Sequence, residues 1–92
     1  MAFKKIDNNQ TEIVEALRSV GATVQSIASI GKGCPDLLVG YRYKNYLMEI
    51  KDGSNKLTKH EELWQSKWMG CSYNVRTVYE AYLIIGIKEG KY

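Results

Sequence analysis

Two acids and a lysine are set apart by type and spacing. Asp36 follows Pro35; after twelve intervening residues comes Glu49-Ile50-Lys51. Two short apolar runs lie between them, Leu37-Leu38-Val39 and Tyr46-Leu47-Met48, separated by the polar stretch from Tyr41 to Asn45. That pattern reads as a hairpin of two adjacent strands. Glu49 and Lys51 then share one face, roughly 7 Å apart at about 3.3 Å per residue. Asp36 joins them only if the loop holds an even number of residues, because a slip of one turns every side chain over. A four-residue loop, Arg42 to Asn45, meets the condition. It pairs Tyr41 with Tyr46, Leu38 with Glu49 and Asp36 with Lys51. Two carboxylates brought together repel unless one holds a proton or a cation sits between them. A hard divalent ion such as Mg²⁺ suits oxygen ligands. It polarises a phosphoryl oxygen and lowers the pKa of a bound water, and an ammonium group beside it balances charge on the phosphate. Those are the requirements for hydrolysing a phosphodiester. The same residues also fit a plain Pro-Asp turn and an ordinary amphipathic strand.

The elements that must position these groups fit in one domain, residues 1–92. A chain this short buries only about 60–65% of the surface it exposes unfolded, so its core is thin. The net charge of +3 and the pI of about 8.9 suit a phosphate-bearing partner without demanding one. Cys34, Cys71 and the single His60 lack the clustering of a zinc site. No apolar run approaches the length of a membrane span and no signal-peptide pattern opens the chain. A cytoplasmic location is the default expectation.

Along the chain, residues 1–7 read as an arm whose Lys4 and Lys5 could touch phosphate. A first helix runs to about Val20 on the stripe Ile13, Ala16, Leu17 and Val20, with N-cap candidates in Asp7-Asn8-Asn9 and Gly21 as its stop. Glu12 lies about 100° from that stripe, where it could border a site or simply face the helix dipole. Residues 23–27 read as a strand. Gly31-Lys32-Gly33 is a loop in which Gly33 permits a close approach or a positive φ. Thr58 and Glu61 form a capping box for a second helix reaching about Met69. Its stripe is Leu57, Glu61, Trp64 and Trp68; the two tryptophans, four apart, predict stacking in the core or at a subunit interface. Residues 72–78 read as the last strand. A closing helix, 79–87, should turn Tyr82, Leu83 and Ile87 inward, and Gly90-Lys91-Tyr92 is a tail.

The order helix, strand, Pro-Asp strand, Glu-Ile-Lys strand, helix, strand, helix is similar to the PD-(D/E)XK nuclease core. The chain resembles more closely the stand-alone phage members of the virus-type replication-repair nuclease (VRR-NUC) group. The resemblance lies in Asn9-Gln10-x-Glu12-Ile13-Val14, Gly31-Lys32-Gly33-x-Pro35-Asp36-Leu37-Leu38-Val39-Gly40, Glu49-Ile50-Lys51-Asp52-Gly53, and Leu57-Thr58 with Trp64. It implies an α/β (α+β) fold of order α-β-β-β-α-β-α, with a mixed four-stranded sheet flanked by helices. It implies that Asp36, Glu49 and Glu12 hold Mg²⁺ or Mn²⁺ together with the backbone carbonyl of Ile50, and that Lys51 is the catalytic lysine. Many relatives carry a glutamine after the Leu-Thr pair; here Glu61 and Glu62 occupy that region and Gln65 is the nearest glutamine.

The expected activity is a structure-selective DNA endonuclease similar to Holliday-junction resolvases, acting as a homodimer on a four-way junction, in the cytoplasm of a bacterial host if phage-encoded. Flaps, nicks or duplex are the alternative substrates, and a non-catalytic DNA-binding or interaction module is the alternative role. Lys32, Arg42, Lys44, Lys56, Lys59 and Arg76 are the candidate phosphate contacts, and Tyr41, Tyr43 and Tyr46 could stack on exposed bases.

Overall fold

A computed structural model describes residues 7–88. Lys4, Lys5 and the tail from Gly90 lie outside the described residues. The first helix, α1 (Gln10–Ser19), forms on the expected stripe, with Ile13 and Leu17 buried. It stops where Gly21 takes φ +96°. There the amides of Ala22 and Gly21 return to the carbonyls of Leu17 and Arg18, each at 3.1 Å, the double bond of a Schellman end. Its start is unusual. Asn9 is the N-cap residue but gives no side-chain cap.

Strands β1 (Thr23–Ser26), β2 (Leu37–Tyr41), β3 (Lys44–Ile50) and β4 (Tyr73–Val75) form one mixed sheet in the order β1-β2-β3-β4. The first two pairings are antiparallel and β3 pairs with β4 in parallel. A parallel neighbour needs a crossover, which is α2 (Lys59–Lys67). The chain closes with α3 (Val78–Ile84), capped by the Thr77 hydroxyl accepting from the Glu80 amide at 3.0 Å. The described residues thus form an α+β fold of three α-helices on a mixed four-stranded sheet. No helix among the described residues is long and apolar enough to cross a membrane.

The sheet has two unlike faces. Leu37, Val39, Met48, Ile50 and Val75 join Ile13 and Leu17 of α1 and Ala81, Tyr82 and Ile85 in one buried core. Leu38 and Leu47 line a hollow on the other face with Trp64 and Trp68 of the α2 segment. Only one face is thickly covered, as expected for a chain with little apolar surface to bury.

Three sequence expectations change. The tryptophans stack, with ring centroids 4.6 Å apart and planes at 17°, but outside the core: Trp68 is 47% exposed. Helix α2 ends at Lys67, and Trp68 is extended. Leu83 is exposed, and Ala81 and Ile85 face inward with Tyr82. Finally, the hairpin register is shifted by two: Tyr41 faces Lys44 and Leu37 faces Met48. The loop is Arg42-Tyr43 alone, with φ of 50° and 66°. Two left-handed residues make a turn whose twist matches that of the strands. The sequence lacks the Asn-Gly signature of that turn, so the short loop is hidden. The loop is still even, so the facing expected for Asp36 and Glu49 survives the shift.

Tyr43 is fully exposed, and a left-handed residue with a Cβ costs about 1–2 kcal/mol. Tyr43→Gly should therefore stabilise the protein by about 1 kcal/mol, raising Tm by several degrees. Equal or lower stability in urea would count against the observed turn.

Candidate active site

Where strand β3 outruns β2, the site begins. Successive amides along a strand point to opposite sides. The Lys51 amide donates to the Val75 carbonyl at 2.9 Å, toward β4. The Ile50 amide must therefore point toward β2. There the ladder has ended, and the Asp36 side chain takes its place: the Ile50 N–H donates to Asp36 Oδ2 at 2.8 Å. The backbone of Asp36 is held as well, its carbonyl accepting from the Ile27 amide at 2.8 Å. Continuing the register from Leu37 and Met48 sets Asp36 opposite Glu49. Both are almost fully buried, at 2% and 1% exposure.

Gly33 makes the approach to Asp36 possible. It has φ +85°, and a Cβ there would lie 2.1 Å from the His60 carbonyl oxygen. Both reasons expected for glycine apply: a left-handed conformation and contact with the first turn of α2.

Lys51 reaches across the same face. Its Nζ lies 2.7 Å from Glu61 Oε1 and 3.7 Å from Glu49 Oε2. Glu61 is itself buried, at 3% exposure, and belongs to the expected capping box. The Thr58 amide donates to Glu61 Oε1 at 2.8 Å, and the Glu61 amide donates to Thr58 Oγ1 at 3.2 Å. One carboxylate oxygen therefore serves both the cap of α2 and the lysine. Burial pulls the Lys51 pKa down, but the hydrogen bond to Glu61 and the charges of Glu61, Glu49 and Asp7 outweigh it, leaving it above the ordinary value of 10.5. Lys51 is a protonated ammonium at neutral pH.

Two of the three buried carboxyl groups, Glu61 and Glu49, lie within ion-pair distance of this ammonium. Buried carboxylates set close together repel, and a cation between them relieves the repulsion. Asp36 and Glu49 can offer carboxylate oxygens to a divalent ion, and strand geometry turns the Ile50 carbonyl toward the same side as its amide. No group of three or more His, Cys, Asp or Glu residues that could hold a metal forms among the described residues. Two carboxylates with a carbonyl and waters are a set that suits Mg²⁺.

Glu12, the expected further ligand, is exposed on α1, and the structure does not gather it into an acidic cluster with Asp36 and Glu49. The polar residue on the buried face of α1 is Gln10, at 7% exposure, whose Oε1 accepts no hydrogen bond. The signal was in the helix phase: Gln10, seven residues before Leu17, falls within about 20° of it. Asn9 explains its missing cap. Its Nδ2 donates to the Lys51 carbonyl at 3.1 Å and to the Arg76 carbonyl at 2.9 Å, and Asp7 Oδ2 accepts from the Asp52 amide at 2.9 Å. The start of α1 is thereby tied to the end of β3. Glu61 was visible as the polar member of an apolar stripe, but not its partner. Gln65 Nε2 donates to Asn74 Oδ1 at 2.7 Å, and Asn74 is the β4 residue paired with Glu49.

The expected phosphate contacts divide. Lys56 and Lys59 are exposed, in the chain between Lys51 and Glu61. Arg76 follows Val75, whose carbonyl accepts from the Lys51 amide, but its Nη1 donates to the Gly53 carbonyl at 2.7 Å. Arg42 and Lys44 lie at the hairpin tip with Tyr43, six strand steps from Asp36, or roughly 20 Å. There Arg42 sits 5.2 Å over the Tyr41 ring, and Tyr46 packs against Tyr73 at 6.3 Å. Lys32 lines a cleft against α2.

These features define an α+β protein with a buried acid-lysine cluster at the open end of a strand pair. No family model, curated protein or solved structure matches the chain.

Glu61→Ala strands a buried ammonium and removes a cap, and should cost about 3–5 kcal/mol. Glu61→Gln keeps an acceptor for Thr58 and should cost less. Because the folded pKa of Lys51 is raised, the ion pair contributes in full below pH 10.5. That contribution is lost as pH rises through the higher folded value. Urea titrations at pH 8 and above the folded value check this: the gap between wild type and Glu61→Gln should narrow at the higher pH, and a constant gap would refute the pairing.

Proposed function

We propose that this chain is a metal-dependent DNA endonuclease of the PD-(D/E)XK type, similar to the VRR-NUC group and selective for branched DNA such as a four-way junction. The observation that carries the reading is the convergence of Asp36, Glu49 and Lys51, from two strands, on one buried face where β2 and β3 part. A generic turn followed by an amphipathic strand would leave such residues in water. Burying two carboxylates and an ammonium costs several kcal/mol per ion before pairing, an arrangement characteristic of functional sites.

Asp36, Glu49 and the Ile50 carbonyl would hold Mg²⁺ or Mn²⁺; Glu12, being exposed, is left out of that set. When bound, the ion supplies Lewis acidity toward a phosphoryl oxygen and a more acidic water. The protein's own groups do the rest. Lys51, protonated at neutral pH, is unsuited to act as a base and suited to balance the charge gathering on the phosphate as water attacks in line. Glu61 keeps the ammonium charged and aimed. Asp36 is held by the Ile50 amide, so little reorganisation is needed when substrate arrives.

In this reading the exposed Lys56 and Lys59, in the chain between Lys51 and Glu61, would meet the phosphate backbone, which positions DNA without reading its sequence. A homodimer belongs to the same proposal, because two sites related by a twofold axis would meet the two opposed strands of a junction.

The test is cleavage of labelled four-way junctions, flaps, nicked and intact duplexes with Mg²⁺ or Mn²⁺. Asp36→Ala and Glu49→Ala should each lower cutting by roughly 100-fold or more, while binding to the same DNA persists. If no substrate is cut, or the variants cut as well as wild type, the chain is a binding module and its acids are structural.

A further inference from the structure

Helix α2 carries a second feature. Between α2 and the loop 31–33 lies a cleft of about 680 Å³, lined by Lys32, His60, Leu63, Trp64, Lys67 and Trp68. Its volume falls in the range of roughly 300–1,000 Å³ common for small-molecule sites. We propose that this cleft receives an unstacked nucleotide of a single-stranded DNA segment, the base against the tryptophan pair and the flanking phosphates at Lys32 and Lys67. The choice of DNA rests on the nuclease reading; the site rests on three observations of its own.

The first is the aromatic wall. Trp64 and Trp68 lie nearly parallel, at 4.6 Å and 17°, because the helix stops at Lys67 and Trp68 turns extended, with ψ 122°. Gly70 backs the outer indole: a Cβ there would be 2.9 Å from Trp68 Nε1. The pair is preformed, and Trp68 is 47% exposed. Nucleobases stack on such faces whatever their sequence.

Charge is the second. The lining holds two lysines and no carboxylate. The two acids of the helix are turned elsewhere: Glu61 faces Lys51, and Glu62 sits about 200° around the helix from His60. An anionic ligand is favoured, and one with a flat apolar part uses both walls.

The third is how Lys32 is held. Gly31, Lys32 and Gly33 have φ of 74°, 57° and 85°. A lysine in the left-handed region costs about 1–2 kcal/mol that glycine would not, and such residues cluster at functional sites. Gly33, against the His60 carbonyl, fixes this loop to the helix turn that also carries Glu61. A nucleotide in the cleft would be linked through one helical turn to the lysine of the cleavage site.

The protein contains two tryptophans; both line this cleft and also the hollow over Leu38 and Leu47, so intrinsic fluorescence reports binding at the indole pair, and the Lys32 and Lys67 variants assign it to the cleft. The full chain is titrated in EDTA with an oligothymidylate, and with a duplex of equal length. Without metal there is no cutting, so binding is read apart from catalysis. Saturable quenching by the single strand, much weaker with the duplex, is expected. Lys32→Ala and Lys67→Ala should each reduce the slope of log affinity against log salt by about 0.7. Trp68→Ala should weaken binding roughly tenfold by anisotropy of labelled oligonucleotide, with circular dichroism confirming its fold. Absence of quenching overturns the proposal, as does equal quenching by duplex. A fluorescence change that follows protein concentration alone also overturns it, since a second copy would then cover the face. A chain that binds the single strand but never cleaves DNA would keep this site and lose the nuclease reading.

Discussion

One hydrogen bond organises the working end of this molecule: the Ile50 amide to Asp36 Oδ2. A strand that extends past its neighbour still has amides to satisfy on that side. At Pro35 the preceding chain has no N–H to offer in return and turns away. The side chain of the next residue fills the gap. A carboxylate is therefore pulled into the fork between β2 and β3, opposite Glu49, by the same accounting that holds any sheet together. The Ile50 amide reaches a side chain because the β2–β3 ladder ends at Leu37 and Met48, two residues short of it.

The second constraint is the cost of burying Lys51 near that fork. Its ammonium is kept by Glu61 more than by its strand neighbour Glu49, at 2.7 Å against 3.7 Å. Because the same Glu61 oxygen caps α2, the start of the helix and the state of the lysine are one problem. On the opposite side Asn9 abandons the cap of its own helix to bind the carbonyls of Lys51 and Arg76. Two helix N-termini thus meet at the end of β3, one holding a side chain and the other the backbone. Oriented groups of this kind let a small domain keep polar atoms fixed where its apolar core is too thin to do so.

The uneven covering of the sheet follows from size. Helices α1 and α3 use most of the apolar side chains on one face. The other receives a single nine-residue helix and leaves Leu38, Leu63, Trp68 and Met69 accessible. The strained Gly31-Lys32-Gly33 loop and the preformed indole pair are the parts of that surface whose construction costs most.

Much of this was legible in the residues. Period-two alternation put Asp36, Glu49 and Lys51 on a common face, and the Thr58–Glu61 box and the stop at Gly21 follow from rules spanning a few residues. Gly33 was legible as a position where a side chain could not be tolerated. What failed was of another kind. The turn at Arg42-Tyr43 is left-handed without the residues that favour it, so its length was misread and the pairing shifted by two. Gln10 rather than Glu12 lies inward because two residues stand about 200° apart on the helix, and the stripe alone does not resolve it. The partner of Glu61 is ten residues away and across a loop. The sequence by itself determined which faces and caps were available, because these depend on backbone geometry within one element. Only the tertiary structure decided which groups meet, because that depends on where a ladder ends, how a helix is rotated against the sheet, and which buried charge has no nearer partner.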